Sequence, residues 1–121
     1  MGNFSIGCDI EDISRFQDKT LEKDADFLNR IFTKSELDYS FKSKIPAQHL
    51  CARFCAKEAI IKALSDFEIN NIYYSDIEIK NKENGAPIAI IKKHPEIEIK
   101  ISLSHCKTYA IANVLLTKEE K

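Results

Sequence analysis

Apolar residues recur along the chain at two periods, and the change falls near Leu64. From Asn3 to Ile10 the pattern alternates enough to predict a strand. From about Ile13 to Leu64 the spacing is helical. "FTKSEL" offers Thr33 as an N-cap with Glu36 three residues on, the signature of a capping box. "IPAQHLCARFCAKEAIIKAL" opens with Pro46, which suits a first helical turn. Its apolar positions Leu50, Cys51, Phe54, Cys55, Ala59 and Ala63 lie close to a 3.6 period. After Leu64 the period drops to two. "SDIEIKNKENGAPIAIIK" reads as two strands around Asn84-Gly85, a hairpin signal. "EIEIKISLSHCKTYAIANVLLTK" reads as two more, turning near Cys106 to Thr108, with Ile97, Ile99, Ile101 and Leu103 on the core face. One early strand and four late ones, covered by helices, predict an α+β domain with an antiparallel-rich sheet packed against helices. The tail "TKEEK" is expected to fray.

The length of 121 residues suits a single domain spanning 1–121, large enough for a core without metal or disulfide staples. A net charge of −1, with no basic run and no zinc-finger spacing, argues against a nucleic-acid partner. No apolar run is long enough to span a bilayer. The opening "MGNFSIGCDIEDISRF" lacks the charged-then-apolar layout of a signal peptide, and Ile6 fits the myristoylation pattern poorly. A cytoplasmic protein with reduced cysteines is expected. Cys51 and Cys55 share a helical face, but no cysteine or histidine spacing matches a zinc site, and small thiols fill cores well.

The stretch "FCAKEAIIKAL" is the least ordinary part of the chain, because Lys57, Glu58 and Lys62 interrupt an apolar helix. Glu58 and Lys62 are four apart and share a face, while Lys57 lies about 100° around the helix from Glu58. A second acidic group follows the first strand in "GCDIEDISRF", where Asp9 precedes Glu11, Asp12 and Arg15. One Asp from a strand and one Glu from a helix suit magnesium, which takes one or two carboxylates and completes its shell with water and phosphate oxygens. Solvated surface carboxylates fit the same spacing, and spacing alone leaves both readings open. Lys62 has the same two readings, a phosphate partner or a simple helix-face pair with Glu58. His105 reads as a turn residue or a ligand contact, whereas His49 and His94 carry no chemical signal. No GxxxxGK[ST] loop is present, so a phosphate would be met by side chains or a metal.

Five segments in order resemble the holo-acyl-carrier-protein synthases, the short bacterial phosphopantetheinyl transferases. They are "IGCDIEDISRF", "IFTKSEL", "RFCAKEAIIKAL", "DIEIKNKENGAPIAII" and "ISLSHCKTYAIANVLL", and together they run from end to end. The resemblance implies magnesium-dependent transfer of 4′-phosphopantetheine from coenzyme A to a serine of apo acyl carrier protein. Adenosine 3′,5′-bisphosphate would be released, and the pathway served would be fatty acid biosynthesis. It implies Asp9 and Glu58 as metal ligands, with Glu58, Lys62 and His105 in the catalytic group. Arg53, Lys57, Lys62, Gly85, Pro87 and His105 would contact coenzyme A. The serine proton would pass to a water on the metal or to a nearby carboxylate, with Glu58 the lesser candidate. The resemblance also implies a homotrimer with sites between subunits.

The family meets its acidic carrier with a basic helix after the first strand. Arg15, Lys19, Lys23 and Arg30 stand there, diluted by Glu22, Asp24 and Asp26, so electrostatic steering is expected to be weaker than in a strongly basic relative. Two rival readings are a non-catalytic module binding coenzyme A or carrier, and a structural trimeric protein with a solvated Glu58/Lys62 pair.

Overall fold

The computed structural model describes residues 3–119. Met1 and Gly2, which enter the myristoylation pattern, and the last two residues of the tail lie outside the described residues; Thr117 and Lys118 belong to a strand. The order is strand β1 (Asn3–Asp12), a 3-10 turn at Ile13–Phe16, and helices α1 (Ala25–Ile31), α2 (Lys34–Phe41) and α3 (Pro46–Asp66). A second 3-10 turn at Tyr74–Asp76 leads to strands β2 (Ile77–Asn81), β3 (Pro87–Ile91), β4 (Glu98–His105) and β5 (Tyr109–Lys118). The fold is α+β, and every strand pair is antiparallel.

The strands form two sheets rather than the one expected, β1-β5-β4 and β2-β3. On the edge of β2 away from β3, the Ile79 amide donates to Glu36 Oε2 at 2.7 Å. A helix carboxylate thus takes a backbone donor of this strand. The turn between β2 and β3 is the expected one: Gly85 holds φ +88°, a conformation open to glycine, and its amide donates to Lys82 O. Thr33 and Glu36 form the expected capping box, with Thr33 N donating to Glu36 Oε1 at 2.8 Å.

The helical run predicted from Ile13 to Leu64 is interrupted at residues 17–24, which form turns. Asp18 sits at φ +62°. Thr20 N donates to Asp24 Oδ2 at 2.9 Å and Lys23 N to Thr20 Oγ1 at 3.1 Å. Side chains there satisfy backbone groups that a helix would have paired, the usual way Asp and Thr compete with helical bonds.

Helix α3 is the centre of the molecule. From Leu50 to Ile60 only Glu58 is not fully buried. Strand β1 lies across it with a matched step. Ser5 Oγ donates to Ala63 O at 2.7 Å, Gly7 meets Ala59, and Cys51 Sγ lies 3.7 Å from Glu11 O. Two strand residues advance about 6.7 Å and four helix residues about 6 Å, so the contacts stay in phase. At Gly7 a Cβ would stand 2.0 Å from the Ala59 carbonyl oxygen, which makes glycine the condition for the crossing.

This packing inverts the usual polarity of a strand. Ser5, Gly7, Asp9 and Glu11 face the helix, while Phe4, Ile6 and Ile10 face outward and are 64%, 76% and 59% exposed.

Candidate active site

The crossing of β1 and α3 brings together side chains far apart in sequence. Asp9 stands two residues beyond Gly7, and Glu58 one residue before Ala59, so the close backbone approach sets both. Lys62 Nζ donates to Asp9 Oδ1 at 3.2 Å and to Cys8 O at 3.1 Å. The Asp9 hydrogen bond, then its charge, and more weakly the charge of Glu58 raise the Lys62 pKa. Glu58 Oε1 accepts a hydrogen bond from the Tyr74 hydroxyl. Burial raises the Glu11 pKa, helped by adjacent Asp9, while Arg15 at 2.9 Å opposes the rise.

Asp9 Oδ2 is buried and has no hydrogen-bond partner. A buried carboxylate oxygen without a donor is costly, and a cation at that point would satisfy it. The described residues contain no group of three or more His, Cys, Asp or Glu side chains arranged around an ion. Two carboxylates and a shell completed by water and ligand oxygens is the arrangement magnesium accepts, so Asp9 and Glu58 fit that ion. The neighbouring Cys55 thiol is buried and donates to Ala110 O at 3.2 Å; its hydrogen bond with Cys51, then burial, push its pKa above the ordinary thiol range.

Lys57 has a different place from the one expected on the coenzyme A surface. It is fully buried, and Nζ donates to Ile31 O at 2.6 Å, Glu36 Oε1 at 2.7 Å and Tyr74 O at 3.0 Å. An ammonium group has three protons, and all are used inside the protein. Lys57 therefore ties α1, α2 and the Tyr74 turn to α3 and has no donor left for a phosphate. Arg53 is also inside, at 4% exposure. Its Nη2 donates to Asn81 Oδ1 at 2.6 Å and its guanidinium covers the Tyr39 ring at 4.2 Å, joining α3 to the β2–β3 hairpin. Gly85 and Pro87 lie at the far end of that hairpin from its attachment at Ile79, and Asn81 Nδ2 donates to Gly85 O.

His105 ends β4 and is exposed. Its charge contributes, after burial and Arg53, to lowering the pKa of His49. His49 lines a cavity of about 530 Å³ with Ser35, Asp38, Tyr39, Lys42 and Ser43. Arg15 is exposed in the first 3-10 turn and stacks over Phe54 at 4.7 Å. Lys19 and Lys23 lie on the irregular segment, with Lys19 over the Phe27 ring at 5.4 Å. The basic helix expected there is thus a turn followed by an irregular strap, for the reasons given at Asp18 and Thr20.

A model of the family described as the 4′-phosphopantetheinyl transferase superfamily matches residues 5–114. The chain belongs to this superfamily. Within it, the chain falls among the holo-[acyl-carrier-protein] synthases. It is 42% identical to the holo-[acyl-carrier-protein] synthase of Protochlamydia amoebophila (strain UWE25), over 88% of this chain and 92% of that one. A synthase from Bacillus anthracis str. Ames, crystallised with CoA (3′,5′-ADP), matches with a TM-score of 0.75 and 33% identity, covering 95% and 96% of the two chains. The Helicobacter pylori synthase in complex with coenzyme A matches at 0.77 and 30%, covering 92% and 98%.

Two side chains that the structure brings to this region carry no signal in the sequence. Tyr74 was one of several aromatic residues after the long helix, and only the turn at Tyr74–Asp76 returns it to Glu58. His49 carried no chemical signal there, although its position one helical turn before Arg53 places the two on one face.

Proposed function

We propose that this chain transfers the 4′-phosphopantetheine arm of coenzyme A to a serine of apo acyl carrier protein, in a magnesium-dependent reaction that releases adenosine 3′,5′-bisphosphate. The reading places the enzyme in the cytoplasm, serving fatty acid biosynthesis. The observation that carries it is the meeting of Asp9 with Lys62 across 53 positions of chain, beside Glu58 and with a buried oxygen of Asp9 left unpaired.

Asp9 and Glu58 would hold the ion. Magnesium, when bound, would withdraw charge from the diphosphate and orient it. Lys62, more than half exposed, is free to move its ammonium from Asp9 to a phosphate oxygen and to offset charge on the departing adenosine bisphosphate. His105 supplies a further donor, with Gly85 and Pro87 shaping the turn beside the nucleotide. Arg53 would meet coenzyme A only through the edge of a guanidinium already engaged by Asn81 and Tyr39. The serine proton would pass to a water at the site or to a nearby carboxylate, for which Glu11, on the same face of β1 as Asp9 and 2.9 Å from Arg15, is a candidate. Arg15, Lys19 and Lys23 would face the acidic carrier.

The same reading includes a homotrimer with sites between subunits. Support comes from the outward apolar side chains Phe4, Ile6, Ile10 and Leu115, which no part of the described chain covers.

Incubating the protein with apo carrier, coenzyme A and Mg²⁺ tests the activity by mass spectrometry. The carrier should gain the mass of one phosphopantetheine arm, and chelation by EDTA should stop the gain. A carrier of unchanged mass, with intact folded protein and magnesium present, would leave only a binding or structural role.

A further inference from the structure

Lys57 and Glu58 are neighbours in sequence, and each holds one end of the same tyrosine. Lys57 Nζ donates to the Tyr74 backbone carbonyl at 3.0 Å, and the Tyr74 hydroxyl donates to Glu58 Oε1. Between these ends the ring packs against Phe54, with centroids 5.4 Å apart at 56°. The turn carrying the tyrosine is closed from outside as well. Asp76 Oδ2 accepts from Tyr73 N at 2.8 Å and is paired with Lys93 at 3.2 Å. Lys57 is in turn anchored by Glu36, which also takes the amides of Thr33 and Ile79. A fully buried ion pair therefore fixes the backbone of Tyr74, and the fixed backbone fixes the hydroxyl.

We infer that Tyr74 is a positioning residue that orients the Glu58 carboxylate for a divalent cation. The inference rests on the proposed role of Glu58 as a metal ligand. A glutamate on a helix surface samples several rotamers, and ordering it on an ion costs entropy. The Tyr74 hydroxyl occupies Oε1 and leaves Oε2 as the freer oxygen, so the carboxylate is ordered before the ion arrives. Hydrogen-bond partners of metal ligands commonly change metal affinity by about 10–100-fold when removed. Lys57 thereby has an indirect connection to the site, through a backbone carbonyl rather than through a phosphate.

The test uses Mn²⁺ as probe, its binding to the whole protein followed by electron paramagnetic resonance, with Tyr74→Phe and Glu58→Gln measured in parallel. Tyr74→Phe keeps the ring against Phe54 and removes only the hydroxyl. The expected result is a loss of Mn²⁺ affinity of about tenfold in Tyr74→Phe, with a melting temperature lowered by no more than a few degrees. Transfer activity of this variant should recover to within a few-fold of wild type as Mg²⁺ is raised, a rise in apparent KM for metal rather than a fall in kcat. Glu58→Gln should lose Mn²⁺ affinity at least as strongly. If Glu58→Gln weakens Mn²⁺ binding and Tyr74→Phe leaves it within twofold, the positioning role is overturned and the metal reading stands. If Glu58→Gln itself binds Mn²⁺ like wild type, the metal reading fails and the role of Tyr74 fails with it.

Discussion

Lys57, Glu58 and Lys62 stand within six positions and meet three environments. Lys57 is inside with every proton donated, Glu58 sits at the one opening in a buried stretch, and Lys62 reaches from the surface to Asp9. These environments separate their substitutions. Asp9→Ala and Glu58→Ala should each nearly abolish carrier modification while circular dichroism shows a retained fold. Lys62→Ala should reduce kcat more than it weakens coenzyme A binding measured by calorimetry, because its charge is needed most as the leaving phosphate departs. Lys57→Met should instead cost stability, by about 3 kcal/mol or more in denaturant unfolding, since it strips a buried carboxylate of its cation. Where Lys57→Met remains folded, coenzyme A affinity at saturating Mg²⁺ should stay near wild type; a loss of that affinity that excess Mg²⁺ does not repair would restore the direct phosphate contact. At this scale the spacing of Glu58 and Lys62 was legible because a helix puts positions four apart on one face. The burial of Lys57 was not, because it depends on Glu36 arriving from another helix.

The strand–helix crossing is the element on which the site depends. Gly7→Ala adds a methyl group against the Ala59 carbonyl oxygen, and relief requires β1 to lift from α3. Overpacking of this kind typically costs about 1–3 kcal/mol, and lifting the strand also separates Asp9 from Lys62. A fall in melting temperature accompanied by loss of transfer activity is expected. Acid should loosen the turn that carries Tyr74. The Asp76 carboxyl is held below its ordinary value of 3.8, chiefly by the Tyr73 amide, and Glu78 below 4.5, chiefly by Thr33. In both cases the unfolded state binds a proton first as pH falls. Their stabilisation is complete above the ordinary carboxylate range and is lost as pH drops through the lowered folded values. Melting temperature should therefore decline below about pH 4, and less steeply in Asp76→Asn. The strands, the long helix and the capping box follow from periodicity and caps. The break at residues 17–24 does not, because side-chain acceptors on Asp24 and Thr20 outcompete a pattern that reads as helical.

For the molecule as a whole, the outward face of the three-stranded sheet has the largest consequence. Phe4, Ile6 and Ile10 lie along one side of β1, exposed where a soluble monomer would carry polar groups. Self-association through this face is expected, with a trimeric mass in light scattering for wild type. Ile6→Asp should shift that mass toward the monomer and lower activity along with it, since the proposed sites lie between subunits. A monomeric wild type with full activity would rule the shared sites out.

The sequence by itself determined the α+β class, the order of the main elements, the hairpin at Gly85 and the sharing of one helix face by Glu58 and Lys62. Those features rest on local periodicity, local caps and residue type, all of which act between near neighbours. Tertiary structure alone decided that Lys57 faces inward, that Tyr74 returns to Glu58, that β2 and β3 form a separate sheet, and that the oily side of β1 faces out. Each of these depends on groups distant along the chain meeting across the core. Which of two faces a charge or an apolar side chain occupies is set by the partner it finds there.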